Sequence, residues 1–239
     1  MHPLTTTFVN RLRERDESAW FELWETFGPV IRGQLARWGR GNVGAETVRD
    51  LTQETLAAVS NHIDRYDPAR GARFSTWLLA IAKHALGDEL DRRFAAKRNH
   101  GRRATSLEDF MVSSSGEPQP DQAFETAMFR AKVIAAIRKV ESESEMLPFE
   151  AFRLRVLDGR SGKDVAEELG TSEATVSRHL ASVRTRLRTR LAETMTLYSF
   201  TDQERSEAEV AGLGSDDRLF DDAVGEIHRL ECIAARRGG

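Results

Sequence analysis

The sequence holds a single cysteine, Cys232, in 239 residues. One thiol excludes a disulfide framework and a four-cysteine zinc site. It suits a reducing compartment, and a cytoplasmic location is expected. The six histidines, His2, His62, His84, His100, His179 and His228, are too scattered to suggest a zinc site. Cys232 is assigned no ligand partner and no role. No run of about 18 apolar residues is present, so no membrane span is expected. Met1–Asn10 lacks a charged start followed by an apolar stretch, so no secretion signal is read. There is no glycine-rich phosphate loop, no HExxH and no nucleophile elbow. An enzyme is therefore not expected, and no catalytic residue, metal or cofactor is assigned.

Charge of one sign is also missing overall. The 35 basic and 38 acidic residues leave a net charge of -3. The distribution is more telling than the total. The stretch 196–239 has 10 acidic and 5 basic residues, net -5, which leaves +2 for the rest. Lys83–Arg103 carries 7 basic residues against 3 acidic ones, and Arg178–Arg190 carries 5 arginines and no acid. Two basic stripes on separate segments are the electrostatic footprint of a polyanion partner. A solvated helix face would give the same pattern for either stripe alone.

No segment alternates as a strand does, and no internal repeat of 20–50 residues is found. Phe8, Leu12, Trp20, Leu23, Trp24 and Phe27 recur at helical steps. Gly28-Pro29 is read as a break, after which Val30, Ile31, Leu35 and Trp38 continue the pattern. A third helix is expected over Asp50–Ile63, and Tyr66–Gly71 reads as a turn. Ser75 is the expected cap of a fourth helix starting at Thr76, with Trp77, Leu78, Ile81, Ala85 and Leu90 on its apolar stripe. Ser113–Pro120 has linker composition. Helical periodicity returns at Ala123, breaks near Leu147-Pro148, and runs from Phe149 to about Met195. The expectation is an all-α chain of two helical modules joined by a flexible linker. The divisions are 1–103, a linker 104–122, 123–195, and an acidic C-terminal extension 196–239.

The sharpest local pattern is Ser161–Leu187. Ser161 can cap a helix, with Asp164 at the capping-box position. Val165, Ala166 and Leu169 form its buried face, and Ala166 is small enough for a second helix to cross closely. Gly170 can supply a left-handed turn. Ser172 then caps the next helix, with Val176 and Leu180 facing inward. This is the spacing of a helix-turn-helix. Its second helix would enter a major groove with Ser172, Glu173, Thr175, Ser177, Arg178 and His179 foremost. Arg184, Arg186, Arg188 and Arg190 would follow near phosphates.

At this point the chain resembles a family. Asp16–Trp24, Asp50–Leu56, and Tyr66-Asp67-Pro68 through Phe74–Lys83 resemble region 2 of bacterial RNA polymerase sigma factors. The helix-turn-helix resembles region 4. The likeness is to the compact extracytoplasmic-function (ECF) type of the sigma-70 family. It covers most of 8–100 and 125–192. It implies a promoter-specificity subunit whose partners are core RNA polymerase and promoter DNA. An anti-sigma factor is a further partner the resemblance admits; a membrane is not. Asp50, Gln53 and Glu54 match the polymerase-binding helix. Lys83, His84, Arg92, Arg93, Lys97 and Arg98 match the segment that grips the minus-ten element, where cations meet phosphates and aromatics stack on bases. Ser172, Glu173, Thr175, Ser177, Arg178, His179 and Arg184 match the reader of the minus-thirty-five element. Trp77 fits both the minus-ten segment and the apolar stripe, and the stripe is the favoured reading.

Several positions depart from the family pattern. His84 stands where asparagine is usual, Ala174 where glycine is usual, and Ser177 where lysine or arginine is frequent. An acidic run, Glu141-Ser142-Glu143-Ser144-Glu145, replaces an apolar lead-in. Beyond Met195 the resemblance ends, with Leu219, Phe220, Val224, Ile227 and Leu230 hinting at one short amphipathic helix. That segment either folds back on the basic DNA face and restrains it, or it is a mobile tail or a helix that extends the second module's core; the second of these readings is favoured. The alternative for the whole chain is a stand-alone helix-turn-helix regulator that binds duplex operator DNA without a polymerase.

Overall fold

Asp16 starts the second helix, and its carboxylate explains why. Its Oδ1 accepts hydrogen bonds from the backbone N–H of Ser18 at 2.8 Å and Ala19 at 3.2 Å. Those donors are orphaned at a helix start, so the side chain replaces water. Arg11 donates to the other carboxylate oxygen at 2.7 Å. Held this way, Asp16 titrates well below the ordinary carboxylate range, with the Arg11 bond as the largest cause.

In the computed structural model, residues 3–66, 74–98, 122–198 and 216–238 are described. Among them are nine α-helices and no strand. We number them α1 (Pro3–Arg13), α2 (Glu17–Trp38), α3 (Ala45–His62), α4 (Phe74–Arg98), α5 (Gln122–Glu143), α6 (Met146–Phe152), α7 (Gly162–Glu168), α8 (Glu173–Leu197) and α9 (Asp217–Gly238). A 3-10 turn, Ile63–Arg65, follows α3, and a π-helical turn, Arg153–Leu157, follows α6. The all-α expectation holds. The chain divides into two compact units, Met1–Met128 and Phe129–Gly239. Most of the expected linker, 104–121, and the expected turn at 67–71 lie outside the described residues; Gln122 already opens α5.

The first unit packs α2, α3 and α4 around Leu23, Phe27, Ile31, Leu51, Val59, Leu78 and Ile81, all buried. Tyr66, Phe74 and Trp77 form an aromatic cluster, with Trp77 at 5.0 Å from Tyr66 and 5.7 Å from Phe74. Such tilted pairs add to their burial. The core reading of Trp77 therefore matches its placement, at 8% exposure.

Three local expectations are corrected here. The break at Gly28-Pro29 does not occur: α2 runs through Pro29. Proline in a helix interior loses a hydrogen bond and costs about 3 kcal/mol. The buried face of Phe27, Gly28, Ile31 and Leu35 on both sides of it outweighs that cost. The third helix starts at Ala45, not Asp50, with Gly44 as an extended cap whose carbonyl accepts from Val48. Ser75 is not a cap; it is a buried residue inside α4, and its hydroxyl donates to Glu125 Oε1 at 2.8 Å.

The second unit is built on Val133, Ile137, Phe149, Phe152, Leu154, Val165, Val176, Val183 and Leu187. The break expected near Leu147-Pro148 falls slightly earlier, at Ser144-Glu145 between α5 and α6, and Pro148 sits in the first turn of α6. Its missing N–H is one of the four that a helix start leaves unbonded. The C-terminal helix belongs to this unit. Phe220 and Val224 are fully buried in the same core, and Ala223 and Ile227 pack against it. At 22 residues, α9 is much longer than the short helix expected.

Candidate nucleic-acid interface

The turn between α7 and α8 is set by local chemistry. Ser161 Oγ accepts from the N–H of Asp164 at 3.1 Å and starts α7. At the far end the N–H of Gly170 reaches Glu167 O at 3.2 Å and that of Thr171 reaches Ala166 O at 2.9 Å. This pair of bonds is the Schellman arrangement, which requires a left-handed residue between them. Gly170 has φ +60. Ser172 Oγ then accepts from the N–H of Thr175 at 3.2 Å and starts α8. Val165, Ala166, Val176 and Leu180 are buried between the two helices.

That packing leaves the first turns of α8 in solvent. Ser172, Glu173, Ala174, Ser177 and Arg178 are exposed, and Thr175 and His179 are half-buried. Arg178 donates to Thr175 Oγ1 at 3.0 Å, which holds its guanidinium along the outer face. His179 has a buried Nε2 without a hydrogen-bond partner. A cationic helix end with short, exposed side chains can enter a groove and meet base edges and phosphates.

The arginine run behind it is differently placed. It has no acid in sequence, yet acids from other elements meet three of its members. Arg184 donates to both carboxylate oxygens of Asp221, at 2.9 and 2.5 Å, and contacts Asp217 at 3.3 Å. Its pKa is raised, chiefly by the Asp221 bond. Arg188 reaches Asp217 at 3.2 Å and lies over the Phe220 ring at 4.3 Å. Arg190 bonds Glu143 at 2.8 Å and Glu193 at 2.5 Å, and both raise its pKa. Arg186 is exposed. Arg184, Arg188 and Arg190, expected near phosphates, each have a carboxylate partner inside their own unit. From sequence the acidic extension is a candidate partner of the basic face, but Asp217 and Asp221 are not singled out, because they are 29 to 37 residues away. Their signal, acids one turn apart beside Phe220 and Val224, is a helical pattern legible only in hindsight of α9.

In the first unit, Asp50, Gln53 and Glu54 are all exposed on α3, while Leu51, Thr52, Thr55 and Leu56 between them are buried. On α4, Lys83 and Arg92 are both exposed. His84 is almost buried and pairs with Asp88 at 3.2 Å. Arg93 is a brace: it bonds Glu89 at 2.6 Å, the Asn42 carbonyl at 2.9 Å and Thr47 Oγ1 at 2.7 Å. These bonds tie α4 to the start of α3. Lys97 and Arg98 lie on α4, and their side chains are outside the described residues.

No group of three or more metal-ligating residues occurs among the described residues. Cys232 does have a histidine neighbour after all: its Sγ is 3.8 Å from His228 Nε2, one helical turn away. No described helix is long and apolar enough to cross a membrane.

Residues 23–94 match the family described as Sigma-70 region 2, and residues 148–187 match Sigma-70, region 4. The two regions stand in this order in one chain, each on one compact unit. The chain belongs to the sigma-70 family. A curated relative, "ECF RNA polymerase sigma factor RpoE" from Cereibacter sphaeroides, is 26% identical over 174 residues, or 73% of this chain and 87% of the relative. No solved structure matches. The sigma factor is thus of the ECF type, and its role is promoter recognition in transcription initiation. The region 2 match takes in Asp50, Gln53, Glu54, Lys83, His84, Arg92 and Arg93, and ends before Lys97 and Arg98. The region 4 match takes in Ser172 to Arg184 and ends before Arg188 and Arg190. Helix α9 lies beyond both.

Proposed function

We propose that this sigma factor docks core RNA polymerase through Asp50, Gln53 and Glu54 and reads promoter DNA with two separate surfaces. Lys83 and Arg92, with Lys97 and Arg98 further along α4, meet the minus-ten element. Ser172, Glu173, Thr175, Ser177 and Arg178 meet the minus-thirty-five element, with His179 at the edge of that face. His84, Arg93 and Arg184 are supporting groups in this reading, because each spends hydrogen bonds on its own unit. The chain contributes no catalytic group; it selects the start site for an enzyme that does. Its work place is the cytoplasm, where that enzyme is. An anti-sigma factor covering the α3 surface would silence it.

The observation that carries the reading is the bare, capped first turn of α8 behind the left-handed Gly170, in one chain with a region 2 fold. A polar, partly acidic helix face also suits docking to a basic partner surface. The test is co-purification of tagged full-length protein with core RNA polymerase. Wild type is expected to retain the core enzyme, and Gln53→Ala/Glu54→Ala to lose it at unchanged melting temperature. Duplex binding by the protein alone, with no retention of core by wild type, would replace this reading by that of a stand-alone regulator.

A further inference from the structure

Helix α9 has two faces with two tasks. Its apolar face fills the second unit's core through Phe220 and Val224. Its first turns carry Asp217 and Asp221 onto Arg184 and Arg188. Arg184 and Arg188 lie seven and eleven positions after Ser177 on α8. The helical repeat therefore continues the Ser177 flank of the DNA-reading face into them. The reading turn itself, from Ser172 to Arg178, stays open. The acids reach only the flank behind it.

We propose that Asp217 and Asp221 are internal competitors of DNA phosphate, holding Arg184 and Arg188 away from the backbone and so setting a ceiling on promoter affinity. The proposal rests on the assignment of α8 as the DNA reader. Its physical basis is substitution: a carboxylate occupies the guanidinium edge that a phosphate oxygen would otherwise take, since both anions bind it through paired N–H donors. Phe220 strengthens the hold by offering its ring face to Arg188. Asp217 is the exposed partner and touches both arginines. It is the contact that a competing phosphate displaces first. Asp221 is well covered and bonds Arg184 through two oxygens.

The test uses the full-length chain and a short mixed-sequence DNA duplex, with Kd measured across salt. Each phosphate newly neutralised steepens the log Kd against log salt slope by about 0.9. Asp217→Asn/Asp221→Asn is expected to bind more tightly at low salt and to steepen the slope by about 1 to 2. Asp217→Asn alone is the variant least able to disturb folding and is expected to steepen it by up to about 1. Asp222→Asn removes the same charge from an exposed position of the same helix. It is expected to leave the slope near wild type. An equal effect of Asp222→Asn would show a bulk charge effect and overturn the proposal. So would an unchanged slope in variants that melt as wild type does. If wild type binds and Arg178→Ala weakens it while the aspartate variants change nothing, only the competitor proposal falls. If wild type fails to bind duplex with or without core polymerase, the DNA-reading assignment falls with it.

Discussion

Gly225 and Val156 meet backbone against backbone. A Cβ on Gly225 would lie 2.6 Å from the Val156 carbonyl oxygen, closer than real side chains approach. Val156 is in the π-helical turn after α6, so this glycine is where α9 closes on the second unit. Because the obstacle is main chain, it cannot swing away. Gly225→Ala is expected to push α9 outward and cost about 1–3 kcal/mol, as overpacking does. A thermal melt of the full-length protein measures it, and an unchanged melting temperature would mean that the close approach is not needed.

Gly170 has φ +60 between α7 and α8. Nothing lies within 4 Å of its missing Cβ, so space is not the constraint. Conformation is. Gly170→Ala is expected to destabilise the second unit by about 1–2 kcal/mol, the cost of a left-handed alanine. Gly170→Asn should recover part of the loss, since asparagine tolerates that region. Denaturant midpoints of the three proteins decide it; equal midpoints would refute the turn's requirement.

Arg178 is the exposed arginine of the first turns of α8. Arg178→Ala is expected to weaken minus-thirty-five binding without lowering the melting temperature, because the residue is exposed. A loss that depends on the base pair marks a base-edge contact, worth about 1–3 kcal/mol. A uniform loss with a shallower salt slope marks a phosphate contact. Competition binding with single-base-pair variants of the site separates them, and unaltered affinity would take Arg178 off the interface.

Asp16 is held below the ordinary carboxylate range by Arg11 first and Ser18 next. A depressed folded-state pKa stabilises the fold fully above the unfolded group's pKa, and that support is lost as pH falls from there through the depressed folded-state pKa. Asp16→Asn keeps an oxygen for the helix cap but removes the charge. The variant should melt lower than wild type at neutral pH. The gap should begin to narrow as pH falls below about 4, the unfolded group's pKa, and should close only as pH passes the strongly depressed pKa of folded Asp16. Melting curves across that range measure it; a gap independent of pH would assign the stabilisation to something other than ionisation.

The helix-turn-helix was legible because every device in it is local. Ser161, Gly170 and Ser172 act on donors within three residues, or through their own backbone angle. The exposed set Asp50, Gln53 and Glu54 was legible for a related reason. The helical period alone separates it from Leu51 and Thr55. Pro29 and Ser75 misled for the opposite reason. Both carry strong local signals, and at both the packing of distant helices prevails. The bracing role of Arg93 was not legible, because a basic run shows charge but not the Asn42 carbonyl 51 residues away.

The sequence by itself determined that the chain is helical, that it carries two basic segments, and where α8 starts. Periodicity, composition and capping act over a few residues, so the order of residues contains them. Which arginines already have carboxylate partners was decided only by tertiary structure. Arg184, Arg188 and Arg190 form an acid-free run in the chain and an acid-matched flank in space, because Asp217, Asp221 and Glu143 arrive on other helices. Charge pairing falls off with distance through space, not along the chain, and so only the folded unit can say which charges are already answered.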